Sequence, residues 1–125
     1  MTDPKTETGN VGHALMRLLA ARGVDCFFAN PGTDFPSIVE AYAKAGAGDL
    51  PRPVLCAHET VAVGMAHGHA MISGRPQAVM VHVNVGAANA LAGLFNAGRE
   101  FVPMLFMMGR TPILEAGAPG ARSLN

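Results

Sequence analysis

The sequence predicts an α/β fold, a three-layer domain in which a mostly parallel sheet is flanked by helices. Short apolar runs alternate along the chain with longer segments in which apolar residues recur at helical spacing. Strands and helices in alternation are typical of βαβ units with right-handed crossovers. The 125 residues, 50% of them hydrophobic and only 14% charged, are enough for one buried core and exclude a disordered chain.

The amino-terminal part of the chain predicts two helices and the strand between them. From Asn10 onward apolar residues fall at helical spacing, and Gly23 follows the last turn as the expected C-cap. The apolar run 24–29 ends at a tight turn and predicts the first strand. Asp34 is expected to cap the second helix, with Pro36 in its first turn.

The rest of the chain predicts three more strands and two longer helices. The third strand is apolar on both faces, which suits a central position covered by helices on either side. The predicted elements are strand 53–57, helix 58–73, strand 77–83, helix 86–99 and strand 103–108.

Composition also divides the chain into a folded domain and two ends. Residues 1–9 are polar and are expected to be a disordered or frayed start, and residues 10–109 are expected to form the domain. Residues 110–125 contain Pro and Gly without periodicity, so we expect an irregular tail that is a truncated linker.

Charge and cysteine content exclude several classes of function. Nine basic and nine acidic residues give a formal net charge of 0, which offers no field for nucleic acid or an acidic membrane surface. No apolar run approaches the ~18 residues of a membrane span, and we expect a soluble cytoplasmic protein. Cys26 and Cys56 are expected to be buried thiols. His67 and His69 diverge on their helix, so no metal site is predicted.

The low charged fraction has two possible explanations. Together with 15 Gly and eight Met it indicates a large interface with a partner, which would remove surface from water. A well-buried α/β domain with small residues at close helix contacts is the alternative.

Three polar side chains lie at or just after the ends of predicted strands, at the edge where parallel sheets bind ligands. Thr33, Glu59 and His82 supply a hydroxyl, a carboxylate and an imidazole for proton transfer. Glu59 precedes an uncharged helix, so we expect a partly desolvated acid that tends to keep its proton. The alternatives are a Glu that only stabilises the helix dipole and a His82 that only bonds a carbonyl in the core.

Three motifs carry a resemblance to a known family: Asn-Pro-Gly-Thr at 30–33, His-Glu with the small-residue helix at 58–70, and Gly-Ala-Ala-Asn-Ala at 86–90. In order and spacing they resemble the amino-terminal pyrimidine-binding domain of thiamine-diphosphate enzymes. This group includes acetolactate synthase, benzoylformate decarboxylase and pyruvate oxidase. The resemblance covers nearly the whole chain and implies an α/β domain with a parallel sheet.

The resemblance implies a cofactor-binding role for four residues. Glu59 matches the glutamate that hydrogen-bonds the aminopyrimidine ring nitrogen and favours the imino tautomer, which then removes the thiazolium C2 proton. Pro31 and Gly32 match the cofactor-binding turn, and Asn89 matches the family's Gly-x-x-Asn turn at a helix start and interface.

The resemblance also implies a reaction class. Thr33 and His82 match the benzoylformate decarboxylase pattern, in which a turn hydroxyl and a histidine handle protons and the substrate carboxylate. The implied substrate is a 2-oxo acid, and the implied activity is that of a lyase or a carboligase. A non-catalytic interaction domain that kept the fold without cofactor turnover is the alternative.

In this family the diphosphate and Mg²⁺ are held by a separate carboxyl-terminal domain with a Gly-Asp-Gly motif, which this sequence lacks. The cofactor lies between domains of two subunits. The resemblance therefore implies a diphosphate-binding domain or subunit as partner and a homo-oligomer. We expect the chain to be either a truncated product or a small subunit that needs a second chain.

Overall fold

A computed structural model describes residues 10–110, in which helices and strands alternate throughout. The predicted frayed start at 1–9 lies outside the described residues, as does the predicted tail beyond Arg110. The elements are α1 (Val11–Ala21), β1 (Cys26–Asn30), α2 (Pro36–Lys44), β2 (Arg52–Leu55), α3 (Glu59–Ser73), β3 (Gln77–Val81), α4 (Val83–Arg99) and β4 (Met104–Met108).

The four strands form one parallel sheet in the order β2-β1-β3-β4. β1 is hydrogen-bonded on both sides, with Phe28 opposite Val54 of β2 and Val79 of β3. β3 likewise lies between β1 and β4. The predictions of a parallel sheet and of an internal third strand are therefore confirmed.

Two apolar cores separate the sheet from a helical layer on each side. On one face, β1 side chains such as Phe27 pack with Met16 of α1 and Ile38 of α2. On the other face, Phe28 and Val79 pack with alanines of α3 and α4, including Ala62 and Ala90. The alternation of strand side chains thus produces the predicted three layers.

Small residues let the helices of each layer approach closely. A Cβ at Gly12 of α1 would lie 2.6 Å from the carbonyl oxygen of Ser37 in α2. A Cβ at Gly93 of α4 would lie 2.7 Å from Cγ1 of Val63 in α3. Part of the glycine content is therefore used in close helix contacts, as the alternative reading of the composition expected.

Most predicted helix ends are confirmed. The Asn10 side chain accepts a hydrogen bond from the His13 backbone N–H at 2.8 Å, and α3 begins at Glu59 and ends at Ser73. Gly23 and Gly74 follow α1 and α3 with φ of 81° and 68°, which favour glycine.

Two predictions at the helix starts are wrong. Asp34 does not cap α2, which has Phe35 at its N-cap position and no side-chain cap, because the Asp34 carboxylate is bonded to the β3–α4 junction instead. α4 starts at Val83 rather than at Gly86, because a positive φ at Val83 turns the chain from strand to helix immediately after His82.

None of the helices within residues 10–110 is long and apolar enough to cross a membrane.

Candidate functional site

The carboxyl ends of all four strands meet at one edge of the sheet, because the sheet is parallel. Each strand is followed there by residues that carry chemistry or allow close approach. They are Asn30 at the end of β1 with residues 31–34 after it, Glu59 shortly after β2, His82 after β3 and Gly109 after β4.

Glu59 is a buried carboxylate at the amino end of α3, with only 6% of the residue exposed. Its Oε2 accepts a hydrogen bond from Nδ2 of Asn89 at 3.1 Å, which links α3 to α4. A Cβ at Gly86 would lie 3.2 Å from Oε1 of Glu59, so the glycine leaves this oxygen open on that side. Two of the predicted cofactor-binding residues, Glu59 and Asn89, are therefore in direct contact.

The protonation state of Glu59 differs from the sequence-based expectation. Burial raises the pKa of Glu59, but hydrogen bonds from its own backbone N–H, from Asn89 and from Asn30, together with the charge of His58, more than offset it. The net pKa lies below the usual value. This direction favours the ionised carboxylate, because hydrogen-bond donors surround a site for which the sequence indicates only desolvation.

The lowered pKa of Glu59 predicts a loss of stability in acid. Ionised Glu59 stabilises the fold fully above its ordinary pKa of 4.5, and this contribution is lost as the pH falls through the lowered pKa. Glu59→Gln removes this titration. Between about pH 5 and about pH 3, its free energy of unfolding should therefore fall less than that of the wild type in urea denaturation.

A matched control for this measurement is Glu40→Gln. Glu40 forms an exposed ion pair with Lys44 at 3.3 Å, so its removal should leave most of the acid sensitivity in place. If the free energy of unfolding depends on pH identically in the wild type and Glu59→Gln, the lowered pKa of Glu59 is contradicted.

His82 is held by Asp34, which the sequence pattern predicts as a helix cap. Its Nδ1 lies 2.7 Å from Oδ1 of Asp34, and the other oxygen of Asp34 accepts the backbone N–H of Val83 at 3.3 Å. The His82 and Asp34 side chains are 28% and 13% exposed, so both are partly shielded from water. Both residues come just after parallel strands, and this is the only feature of the sequence that indicates their proximity.

Glycines let three chain segments converge on this pair. A side chain at Gly32 would overlap the ring of His82, and one at Gly109 would overlap the carboxylate of Asp34. The turn after β1, the β3–α4 junction and the end of β4 therefore meet around one imidazole and one carboxylate.

The other predicted site residues lie on the turn after β1. Pro31 and Thr33 are exposed there, and Gly32 is in contact with His82. Pro31 also borders an apolar groove of about 130 Å³ between α2 and β2. Asn30 also hydrogen-bonds Glu59, a contact that its position in the Asn-Pro-Gly-Thr motif alone does not predict.

Within residues 10–110, no three His, Cys, Asp or Glu side chains come together in a way that could hold a metal ion. Cys26 and Cys56 are both free and buried, in agreement with their predicted state.

Fold and site define an α/β domain with a buried acid and a histidine at the carboxyl edge of a parallel sheet. Residues 9–123 match the family model described as the N-terminal TPP binding domain of thiamine pyrophosphate enzymes. The chain belongs to this family. The resemblance drawn from its three motifs is confirmed.

The relatives include proteins named as acetolactate synthases and proteins named as decarboxylases. The chain is 44% identical over 100 residues to a Mycobacterium tuberculosis protein assigned as an acetolactate synthase large subunit, and the match covers 80% of this chain and 19% of that protein. It is 32% identical over 100 residues to benzoylformate decarboxylase of Pseudomonas aeruginosa, covering 80% of this chain and 18% of the relative.

A similar solved structure is also a thiamine diphosphate-dependent enzyme. The thiamine diphosphate-dependent 4-hydroxybenzoylformate decarboxylase of Rhodococcus jostii RHA1 matches with a TM-score of 0.69 and 28% identity, over 80% of this chain and 18% of that chain. The chain thus spans less than a fifth of the length of these relatives.

Proposed function

We propose that this chain is the cofactor-activating, pyrimidine-binding half of a thiamine-diphosphate-dependent enzyme that acts on 2-oxo acids. The observation that carries the proposal is the buried carboxylate of Glu59, held by Asn89 at the carboxyl edge of the sheet. Family membership supports the cofactor class, because the matching family model is a TPP-binding domain.

The residues present fit an aminopyrimidine ring. Oε2 of Glu59 is fixed by Asn89, and Gly86 leaves space beside Oε1. A carboxylate in this state accepts a hydrogen bond from a protonated ring nitrogen, and burial strengthens that bond. Thiamine diphosphate, when bound, supplies the carbon nucleophile that attacks the carbonyl of a 2-oxo acid.

Each remaining site residue has a part in the proposal. Glu59 holds the proton at the ring nitrogen, and Asn89 orients its carboxylate. The backbone of Pro31 and Gly32 lines the cofactor at the turn after β1. Thr33 binds the substrate carboxylate through its hydroxyl, and His82 moves a proton at the reacting substrate.

The proposed partner is a diphosphate-binding domain or subunit, which holds the diphosphate and Mg²⁺. Exposed apolar side chains on α3 and α4 support burial against such a partner or against a second copy. They include Val61, Met65, Leu91 and Phe95. The proposed assembly is a cytoplasmic homo-oligomer. The names of the relatives support decarboxylation or acetolactate-synthase-like carboligation as its reaction.

His82→Ala tests whether Glu59 and His82 have separate roles in the assembled enzyme, in which this chain is joined by the diphosphate-binding domain. Decarboxylation of an aromatic 2-oxo acid should fall by about 10²-fold, because a proton carrier at the substrate is lost. Deuterium exchange at C2 of the cofactor should stay within about twofold, because the Glu59–Asn89 contact is unchanged. Equal losses in both assays would contradict a separate role for His82.

A further inference from the structure

Asp34 is placed between two hydrogen-bond donors on a different part of the chain. Its Oδ1 lies 2.7 Å from Nδ1 of His82, and its Oδ2 accepts the backbone N–H of Val83 at 3.3 Å. Both contacts join the turn after β1 to the junction of β3 and α4, 48 and 49 residues further along the chain.

We infer that Asp34 is a positioning residue that fixes His82 in the tautomer with its proton on Nδ1, leaving Nε2 as the unprotonated nitrogen. The geometry carries this assignment by itself. It rests on the proposed function only for the part that His82 plays in proton transfer.

The assignment follows from which groups can donate. A carboxylate accepts hydrogen bonds and donates none, so the nitrogen that faces it must carry the hydrogen. A neutral imidazole has one N–H, and placing it on Nδ1 leaves Nε2 with a free lone pair. The second oxygen of Asp34 is already used by a backbone N–H that has no alternative tautomer.

The surrounding backbone holds this arrangement in place. Gly32 contacts one part of the imidazole, and Gly109 admits the carboxylate of Asp34, since side chains at these positions would overlap them. Val83 has a φ of 37°, a conformation that is strained for a β-branched residue. Its hydrogen bond to Asp34 stabilises this strained residue beside the histidine.

The tautomer decides what His82 can do. An unprotonated Nε2 accepts a proton or a hydrogen bond, whereas an Nε2–H would only donate one. Asp34 therefore determines whether His82 first accepts or first donates a proton at Nε2. Asp34 itself does not exchange that proton.

Asp34→Asn tests the inference with almost no change of shape. Asparagine has one acceptor oxygen, and the backbone N–H of Val83 requires it. The amide NH₂ then faces Nδ1 of His82, so the ring must move its proton to Nε2. Nitrogen-15 spectra of the imidazole at alkaline pH, recorded on the full 125-residue chain, distinguish protonated from unprotonated ring nitrogens.

We expect the Nδ1–H tautomer to predominate in the wild type and the Nε2–H tautomer in Asp34→Asn. Asp49→Asn is the matched control, because Asp49 bonds the backbone N–H of Gly46 instead of a histidine, and it should retain the wild-type spectrum. A wild-type His82 with its proton on Nε2 would overturn the inference, even if the variant failed to fold. Retention of Nδ1–H in folded Asp34→Asn would overturn it too.

A second readout in the assembled enzyme separates this inference from the proposed function. Asp34→Asn should lower decarboxylation by about 10-fold or more while C2 exchange stays within about twofold of the wild type. Because the spectra need no cofactor, a tautomer switch without any effect on decarboxylation would leave the inference standing and contradict the proposed role of His82.

Discussion

Glu59→Gln in the assembled enzyme is expected to slow deuterium exchange at C2 of bound thiamine diphosphate by about 10²-fold or more. Glutamine matches the shape of glutamate but carries no charge, so it does not hold a proton at the ring nitrogen. NMR after acid quench measures the exchange of deuterium at C2. This assay reports removal of the C2 proton separately from the later chemistry on the substrate. Turnover of a 2-oxo acid should fall in parallel.

The control for this experiment is Glu40→Gln, which makes the same chemical change in an exposed ion pair on α2. Its exchange rate should match the wild type. Binding of the cofactor by Glu59→Gln has to be measured alongside, so that the rate is taken from saturated enzyme. An unchanged C2 exchange rate in saturated Glu59→Gln would exclude Glu59 as the activating acid.

Phe27→Ala is expected to lower the free energy of unfolding by about 3–5 kcal/mol, a large part of the ~5–15 kcal/mol typical of a domain. Phe27 lies in an internal strand, is 1% exposed and packs between the sheet and the layer formed by α1 and α2. Its ring centroid lies 6.3 Å from that of Tyr42, so the substitution also removes an aromatic contact. Urea denaturation of the 125-residue chain measures the loss.

Phe95→Ala is the matched control, because Phe95 lies on α4 with 69% of its surface exposed. In the unassembled chain it should change the free energy of unfolding by less than about 0.5 kcal/mol. Similar losses for both variants would contradict the assignment of Phe27 to the core and of Phe95 to the surface.

Local patterns predicted the architecture well because they depend on neighbours in sequence. Asn10 and Gly23 mark the ends of α1 through a local hydrogen bond and a positive φ, and both lie where the sequence pattern predicts them. The start of α4 lies three residues before its predicted position because the turn there depends on a strained Val83. No propensity rule favours a β-branched residue in that conformation.

The side-chain partners of the site were harder to predict because they come from distant parts of the chain. Asp34 fits a helix cap by its local position, yet its carboxylate is used by His82, 48 residues away. The lowered pKa of Glu59 is not predicted by local sequence for the same reason. An apolar helix after Glu59 suggested desolvation alone, whereas donors from Asn89 and Asn30 lower the pKa in the folded chain.

The most direct test is a crystal structure of the assembled enzyme with thiamine diphosphate bound. A carboxylate oxygen of Glu59 should lie about 2.6–3.2 Å from the ring nitrogen of the aminopyrimidine, with Asn89 still bonded to the other oxygen. A pyrimidine ring bound away from Glu59, or one whose ring nitrogen is paired with a different residue, would contradict the account.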